Sequence, residues 1–391
     1  MRTQVGIVGA GPAGLLLARL LQLEGIESIV IESRTRKHVE ERVRAGVLEP
    51  GSVDLMVQIG AGERITKLAL QHHGIELRFN HRGHRIDMRE LTGRSIFIYG
   101  QNEVVKDLTN LRLSAGGQIC FEAEATALEG LDTTAPCIRF RTHEAEQKIV
   151  CDFVAGCDGF HGISRAVIPA AMKNEYERIY PFAWLGILAE IPPPCDELIY
   201  THHQRGFALV SMRSPTISRL YLQCTPDEDL ANWPEDRIWE ELATRLATDD
   251  GAFHLHPGCV IQKGITGMRS FVAEPMQFGN MFLVGDAAHI VPPTGAKGMN
   301  LAMADAVVLA KGLAEYYRSA DRTLLDRYSE VCLRRVWRFQ RFSWWMTSML
   351  HSFEDSNVFD RRRQLAELEY VVSSRAAATS LAENYVGMPL T

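Results

Sequence analysis

The distribution of apolar and polar positions at the start of the chain predicts a strand, a turn, a helix and a second strand. Residues 5–8 form a short apolar run, and the glycine-rich segment GAGPAG follows at positions 9–14. Apolar positions then recur at helical spacing over residues 15–21, and a second apolar run at 29–31 ends in Glu32. This order is typical of the first unit of a parallel α/β sheet.

A second unit of this kind is predicted far along the chain. Residues 281–284 form an apolar run that predicts a strand, and Gly285-Asp286 predicts a sharp turn. After a loop that contains Pro292 and Pro293, the pattern from Gly298 onward predicts a long helix.

Two alternating runs in the middle of the chain predict a β-hairpin. Residues 206–224 read GFALVSMRSPTISRLYLQC, and the turn-like SPTIS occupies 214–218. This register places Arg213 across from Arg219 and Ser211 across from Tyr221. Period-two alternation then brings all four side chains to one face of the hairpin.

The same hairpin face carries Phe207 and Leu209, which we expect to be buried. A buried arginine without a partner is costly, whereas an arginine–carboxylate pair is geometrically strong. An anionic ligand would resolve this conflict. The alternative interpretation is a solvated sheet face.

Composition narrows the class of protein. A chain of 391 residues is too long for one simple core, and its formal net charge of -6 argues against nucleic acid or an anionic membrane as the main partner. The eight cysteines show no C-x-x-C spacing, which predicts reduced thiols in a cytoplasmic protein and neither a disulfide scaffold nor a metal site. No run approaches 18 apolar residues, so no membrane-spanning helix is expected.

The glycines of the first unit have the spacing of a dinucleotide-binding turn. Gly9 permits the tight turn, Gly11 lets the backbone approach a pyrophosphate, and Gly14 allows the helix to pack closely on the strand. Glu32 would accept hydrogen bonds from the adenosine ribose. This motif does not choose between NAD and FAD, and an NAD-dependent dehydrogenase that shares it is one alternative.

The second unit favours FAD, because an extended flavin nucleotide needs a second anchor. Asp286 would accept hydrogen bonds from the ribityl hydroxyls, and Pro292 and Pro293 would wall the isoalloxazine ring. The N–H groups at the start of the following helix, including those of Met299 and Asn300, would face the N1/C2 oxygen edge and stabilise the negative charge of the reduced flavin.

Three motifs together resemble the class A FAD-dependent aromatic hydroxylases. They are GAGPAG at 9–14, CDGFHGISR at 157–165 and GDAAHIVPPTGAKGMN at 285–300. The resemblance extends over almost the whole chain, through RAGVLE (44–49), YGQ (99–101), RGFAL (205–209), RFSWWMTSMLH (341–351) and AENYVG (382–387).

The resemblance implies an α/β fold, in which a Rossmann-like FAD-binding domain of the glutathione-reductase type is interleaved with a β-sheet substrate domain and a C-terminal helical region. We expect an FAD-binding domain over 1–175 with an excursion at 70–100, a substrate domain over 176–275, and a second FAD segment with the helical region over 276–391. The aromatic-rich helix at 324–351 would form core and subunit interface, and the family implies a homodimer.

The resemblance also implies the substrate site. It places Ser211, Arg213 and Tyr221 around the carboxylate of a hydroxybenzoate, with Arg219 nearer the flavin. At the other end the backbone carbonyl of Pro293 would hold the phenol oxygen.

The same resemblance implies which residues remove the phenolic proton of the substrate. Tyr200 would hydrogen-bond the substrate hydroxyl, Tyr385 would continue the relay, and His72 would connect it to solvent. From the residues alone, His73 is as plausible as His72.

The remaining implied contacts concern the two cofactors. Arg42, Arg44, Gln101 and Asp158 match FAD contacts. The NAD(P)H site would comprise Ser33, Arg34, His38, Arg42, Arg44, His161, Arg165 and Arg269. Residues 33–38, SRTRKH, match the segment that contacts the adenosine 2′ position in the family. The basic groups Arg34, Arg36, Lys37 and His38 would favour a 2′-phosphate. Ser33, however, departs from the arginine of strongly NADPH-dependent relatives. The coenzyme therefore stays open between NADPH and NADH.

The implied reaction is hydroxylation of 4-hydroxybenzoate next to its phenol by way of a flavin C4a-hydroperoxide, with NAD(P)H and O2 consumed and 3,4-dihydroxybenzoate formed. The tyrosine pair favours a para-hydroxyl. A related hydroxylase of 3-hydroxybenzoate or salicylate, and a flavin-binding protein without hydroxylase activity, are the alternatives.

Overall fold

Strands of 2 to 17 residues and amphipathic helices build two large sheets and a C-terminal helical layer in the computed structural model, which describes residues 1–42 and 46–390. The strands are β1 Val5–Val8, β2 Ser28–Ile31, β3 Val47–Leu48, β4 Leu70–His72, β5 Gly74–Phe79, β6 Arg82–Asp87, β7 Ile96–Ile98, β8 Gln118–Cys120, β9 Glu124–Glu129, β10 Cys137–Arg141, β11 Glu146–Val150, β12 Phe153–Gly156, β13 Asn174–Glu190, β14 Leu198–Thr201, β15 Ala208–Ser214, β16 Ile217–Cys224, β17 Cys259–Glu274, β18 Gln277–Phe278, β19 Met281–Leu283 and β20 His289–Ile290. The helices are α1 Pro12–Leu23, α2 Arg36–Glu41, α3 Pro50–Gln58, α4 Glu63–Leu68, α5 Met88–Thr92, α6 Gln101–Ser114, α7 Glu235–Leu246, α8 Gly298–Ser319, α9 Thr323–Asp326, α10 Tyr328–Leu350, α11 Val358–Ser373 and α12 Arg375–Val386.

The first sheet has the order β18-β19-β12-β1-β2-β8. Strands β19, β12, β1, β2 and β8 run parallel, and β18 adds an antiparallel edge. Helices α1 and α8 pack against each other, so the two predicted strand-and-helix units lie side by side. The apolar residues of β1, Val5 to Val8, are buried on both faces, as expected of a parallel sheet.

The second sheet has the order β20-β17-β13-β16-β15-β14-β5-β6. It combines residues 74–87 with strands from 174–274, and β14 joins the two segments by pairing in parallel with β5. Helix α7 covers a separate apolar core on this sheet, built around Trp233 and Leu242. The expected α/β fold with a helical C-terminal region is confirmed.

The hairpin is formed by β15 and β16, but the predicted register is wrong. Ser211 pairs with Arg219, not Tyr221, and Leu209 pairs with Tyr221. The turn contains two residues, 215–216, instead of five, and a bulge between Met212 and Ser214 absorbs Arg213. The polar residues at both ends of SPTIS belong to the strands, and the alternation of apolar residues alone did not predict this.

The helical layer is formed by α8 to α12. Phe339 of α10 is buried, whereas Trp337 and Trp344 on the same helix are 42% and 43% exposed. None of the described helices has the length and apolar character needed to cross a bilayer.

Candidate active site

The glycine-rich turn has the geometry that its sequence predicts. Gly9 adopts φ +106°, and a Cβ there would lie 2.3 Å from the carbonyl oxygen of Cys157. A Cβ on Gly14 would lie 2.1 Å from the carbonyl oxygen of Gly9, whereas one on Gly11 would meet no atom within 4 Å. The turn is therefore packed tightly on its inner side and open at Gly11, in front of the α1 N-terminus, where a pyrophosphate fits.

Glu32 closes one side of this turn. Its Oε2 accepts the N–H of Ala10 at 2.9 Å, and its Oε1 accepts the N–H of Arg34 at 2.9 Å. Because each carboxylate oxygen has a second lone pair, the fixed carboxylate keeps acceptor capacity for a ribose hydroxyl.

Asp158 carries a buried oxygen that has no hydrogen-bond partner in the described residues. Its Oδ2 accepts the N–H of Ser164 at 2.8 Å and the Ser164 hydroxyl at 2.9 Å, while Oδ1 is buried and unpaired. Burial raises the pKa of this carboxyl. An unsatisfied buried acceptor is costly, so a donor from a bound molecule would stabilise the site.

Arg165 lies between the rings of Phe160 and Phe271, with its guanidinium carbon 4.7 and 4.6 Å from their centroids. It donates to the carbonyl oxygens of Ala287 at 2.9 Å and Phe160 at 2.8 Å, and its Nε lies 3.3 Å from Glu175. Arg165 thus links the DG stretch directly to the GD turn. Much of its donor capacity is used inside the protein.

Two other expected NAD(P)H contacts lie beside the same phenylalanine. The His161 ring centroid is 5.0 Å from that of Phe160, and the Arg269 guanidinium carbon lies 4.5 Å from the Phe160 centroid. Arg269 also pairs with Glu177 at 3.1 Å. His161, Arg165 and Arg269 therefore form one group of basic side chains.

Ser33, Arg34 and His38 lie together at a different cleft of about 440 Å³. Its opposite wall includes Arg141 and Glu124, which form an ion pair at 2.7 Å. Arg42 caps α2 and is exposed, whereas Arg44 lies outside the described residues.

The second predicted unit brings the GD turn to the start of α8. Asp286 is exposed in the turn, and Met299 is half-buried in the first turn of the helix. The Asn300 side chain is committed to the protein: its Oδ1 accepts the Glu49 N–H at 3.0 Å, and its Nδ2 donates to Val47 O at 3.0 Å. The unpaired N–H groups at the helix start are thus the groups that can face a flavin. Gln101 begins α6 and is half-buried.

One face of the second sheet gathers the predicted substrate contacts. Cross-strand pairing forms one row of residues from Gly186, Tyr221, Leu209 and Tyr200. Ser211 and Arg219 lie in the next row on the same face, two residues along the strand and about 7 Å away.

The basic groups of this face are buried in part or whole. Burial lowers the pKa of Arg213, whose Nη1 donates to Met212 O at 3.1 Å and to the Ser211 hydroxyl at 3.4 Å. The Nε and Nη1 of Arg219 are buried and have no hydrogen-bond partner in the part of the chain that the structure describes. Buried cationic donors of this kind fit an anionic ligand.

Tyr200 and Tyr385 are in direct contact. Their hydroxyls hydrogen-bond to each other, and both side chains are buried. Burial raises the pKa of both phenols, so both keep their protons at neutral pH. Pro293 begins the short turn before α8, and its carbonyl oxygen accepts the N–H of Ala296 at 2.9 Å.

His72 is buried, and neither ring nitrogen has a hydrogen-bond partner among residues 1–42 and 46–390. Burial lowers its pKa to about 4, although the charges of Glu197 and Asp196 oppose this shift. His73, by contrast, bonds Ser95 through Nδ1 at 2.8 Å. The structure does not join His72 to Tyr385 by a direct hydrogen bond.

Sequence reasoning missed a buried ion pair beside the tyrosines. Lys297 Nζ lies 2.7 Å from Glu49 Oε1 and donates to the carbonyl oxygen of Tyr385 at 2.7 Å. A lysine in the otherwise apolar loop before α8 was the available signal, but its partner lies far away in the sequence.

These features fit FAD, since the open glycine turn, the unpaired Asp158 oxygen and the α8 N-terminus offer separate contacts for an extended nucleotide. No group of three metal-ligating side chains occurs in the described ranges.

Comparison with known proteins shows the family of the chain. The FAD binding domain family matches residues 2–343. The chain is 48% identical over 391 residues to p-hydroxybenzoate hydroxylase of Acinetobacter baylyi, covering 100% of this chain and 96% of that protein. It is 28% identical over 333 residues to pentachlorophenol 4-monooxygenase of Sphingobium chlorophenolicum, covering 82% and 60%.

Among solved structures, p-nitrophenol 4-monooxygenase PnpA of Pseudomonas putida DLL-E4 has a TM-score of 0.85 at 20% identity and 99% coverage of both chains, which shows the shared fold. The family match and the full-length relative, together with the two flavin anchors, establish that this chain belongs to the class A FAD-dependent aromatic hydroxylases.

Proposed function

We propose that this monooxygenase hydroxylates 4-hydroxybenzoate at the ring carbon next to the phenol and forms 3,4-dihydroxybenzoate. The observation that carries the proposal is the face of the second sheet on which Tyr200 lies in one cross-strand row and Ser211, which accepts a hydrogen bond from Arg213, lies in the next row, about 7 Å further along the strands. A phenol partner and the hydroxyl that accepts from a cationic group thus lie in adjacent rows of one surface. The 48% identity to a p-hydroxybenzoate hydroxylase supports the same substrate.

The overall reaction consumes one O2 and one NAD(P)H. One oxygen atom enters the ring, the other leaves as water, and the two electrons come from the nicotinamide, which is released oxidised. FAD, when bound, supplies the oxygen and electron chemistry, while the protein orients the substrate and excludes water.

Arg213 and Ser211 bind the substrate carboxylate in this proposal, with Tyr221 beside them. Arg219 would add positive charge beside bound FAD and so favour its anionic reduced form. The ring of Tyr221 lies 5.2 Å from the Arg219 guanidinium carbon, so the proposed carboxylate site adjoins Arg219.

The substrate phenol must lose its proton, because a phenolate is the better nucleophile and a phenol has a pKa of about 10. Tyr200 accepts this proton while giving its own to Tyr385, and Tyr385 releases its own proton towards solvent. The contact between the two hydroxyls supports this transfer, and His72 is the proposed link to solvent. Before this transfer, the Pro293 carbonyl oxygen is the alternative acceptor for the phenolic O–H.

The nicotinamide nucleotide is proposed to bind without a second dinucleotide fold. The basic group around Phe160 would contact its phosphates, and the cleft at Ser33, Arg34 and His38 would hold its adenosine end. Both NADPH and NADH are compatible with this cleft.

We further propose a cytoplasmic homodimer. All eight cysteines are free thiols, which supports a reducing compartment. Trp337 and Trp344 present aromatic surface on one helix, which supports a subunit contact.

The test is NAD(P)H oxidation by the purified yellow protein, with and without 4-hydroxybenzoate, combined with product analysis. We expect strong stimulation by 4-hydroxybenzoate and formation of 3,4-dihydroxybenzoate. The comparison ligands are 3-hydroxybenzoate and salicylate. Stimulation and hydroxylation by one of these in place of 4-hydroxybenzoate, or oxidation without any dihydroxybenzoate, would contradict the assignment.

A further inference from the structure

A buried carboxylate behind the GD turn has no role in the proposed reaction. Asp305 lies on α8 and His289 on β20, and the side chains of both are 1% exposed. Their Oδ2 and Nε2 atoms are 2.6 Å apart. The same Oδ2 accepts the backbone N–H of Gly285 at 3.0 Å. One oxygen atom thus joins the turn, a strand of the second sheet and the long helix.

The turn has little room to adjust by itself. Gly285 adopts φ +66°, and a Cβ there would lie 2.9 Å from the Cβ of Ala302 on α8. Asp286, the next residue, is the expected ribityl contact, and the start of α8 is the expected flavin contact. Asp305 therefore lies between the two segments that would contact the flavin, and its hydrogen bond to Gly285 holds them at a fixed distance.

We propose that Asp305 is a positioning residue for FAD, which acts through Gly285 and His289 and does not itself touch the cofactor. With His289 it holds the GD turn against α8, so that Asp286 and the helix N-terminus meet the flavin at a fixed separation. This role concerns FAD binding, an attribute of the family, and does not depend on which aromatic acid is the substrate.

The charges around His289 favour its protonated form. Burial opposes a charge on His289, but Asp305 and Asp286 outweigh it and raise the His289 pKa. Cys332 and Tyr328 of α10 face Asp305, and the more distant Arg335 adds positive charge. Loss of one partner from such a buried pair leaves the other uncompensated, so a general loss of stability is expected beside any effect on FAD.

The experiment separates an effect on FAD binding from a general loss of stability. For Asp305→Asn and His289→Gln, the dissociation constant of FAD is measured by titrating apoprotein with FAD, and Tm is measured with and without FAD. We expect FAD affinity to fall by about tenfold, as for one lost hydrogen bond of good geometry. The gain in Tm on adding FAD should shrink in both variants.

Glu241→Gln is the matched control, because it breaks another buried ion pair, that of Glu241 with Arg245 in α7, where Oε2 and Nη2 are 2.9 Å apart. It should lower Tm equally with and without FAD and leave the FAD dissociation constant unchanged. If the Asp305 variant behaves like this control, the proposal is overturned. If Asp305→Asn does not fold, unchanged FAD affinity in folded His289→Gln overturns it equally.

Discussion

At the scale of single residues, the contact between the Tyr200 and Tyr385 hydroxyls is the feature on which proton transfer depends. Both phenols are buried and keep their protons, so each can accept one proton only by giving up another. Such a pair moves a proton without admitting water. Loss of either hydroxyl interrupts the transfer and leaves the packing largely intact.

We expect Tyr200→Phe to separate NAD(P)H oxidation from hydroxylation, because the substrate binds but keeps its phenolic proton. The hydroxylation rate should fall by about 10²-fold or more, as for other positioned proton-transfer groups. The measurement is the ratio of 3,4-dihydroxybenzoate formed to NAD(P)H consumed. Tyr180→Phe is the control, since that buried hydroxyl bonds Ser270 instead; an unchanged ratio in Tyr200→Phe would contradict the relay.

Arg213→Ala should mainly weaken substrate binding. A hydrogen bond to a charged group contributes about 1.5–3 kcal/mol, so the dissociation constant of 4-hydroxybenzoate should rise by roughly ten- to a hundredfold. The change in flavin absorbance on adding substrate measures it. Arg139→Ala, which removes an exposed arginine paired with Glu129, is the control, and equal affinities in the two variants would exclude a carboxylate contact.

Gly186→Ala tests the position of Arg219. A Cβ at Gly186 would lie 2.6 Å from Arg219 Nη2, whereas one at Gly264, its direct partner across β13 and β17, would meet no atom within 4 Å. We expect substrate-stimulated NAD(P)H oxidation to fall about tenfold or more in Gly186→Ala, the scale of about 1.4 kcal/mol in transition-state stabilisation, and to persist in Gly264→Ala. Similar rates in both variants would show that Arg219 tolerates displacement.

At the scale of elements, sequence patterns predicted the strands, turns and helices whose form depends on neighbouring residues alone. The strand, turn and helix at residues 5–31 and the corresponding unit from 281 onward form as expected, because glycine geometry and apolar periodicity act within a few residues. The register of β15 and β16 was not predictable in this way, since the bulge at Met212 and Ser214 depends on packing.

No rule of residue spacing predicted the contacts between segments that are distant in the sequence. Tyr200 and Tyr385 were placed together only through the family resemblance, and the structure shows their contact. The pairs of Lys297 with Glu49 and of Asp305 with His289 were missed, because a buried charge selects its partner in three dimensions.

At the scale of the whole molecule, buried neutral histidines predict a loss of stability in acid. Burial lowers the pKa of His72 to about 4 and of His351 to about 3, below the ordinary value of 6.5. Below pH 6.5 the unfolded chain therefore binds protons that the folded chain does not, and stability falls as the pH decreases towards these folded values.

Each of these histidines should contribute up to about 1.4 kcal/mol per pH unit to the fall in unfolding free energy. Urea unfolding at pH 6.5 and pH 5 measures this slope. His351 accepts from Trp184 through Nε2 and bonds Thr347 O through Nδ1, so His351→Gln can replace both bonds without titrating. A slope in His351→Gln as steep as in the parent would contradict the assignment.

Charged residues placed on the exposed aromatic surface of α10 should dissociate the proposed dimer. We expect the double variant Trp337→Glu/Trp344→Glu to sediment at half the mass of the parent in analytical ultracentrifugation, because each subunit would bring two charges into the buried contact. Ile261→Glu, at another exposed apolar position, should keep the parental mass. A monomeric parent would refute the dimer.

The interleaving of the two sheets has a consequence for biosynthesis. The first sheet needs β19, which begins at Met281, and the second needs β5 together with β17 and β20, which end at Glu274 and Ile290. A nascent chain therefore completes neither sheet until about three quarters of it has left the ribosome, and pairings this distant in sequence form slowly. FAD capture is then a late event in maturation, and prematurely terminated chains that lack β19 should remain without cofactor and be open to proteolysis.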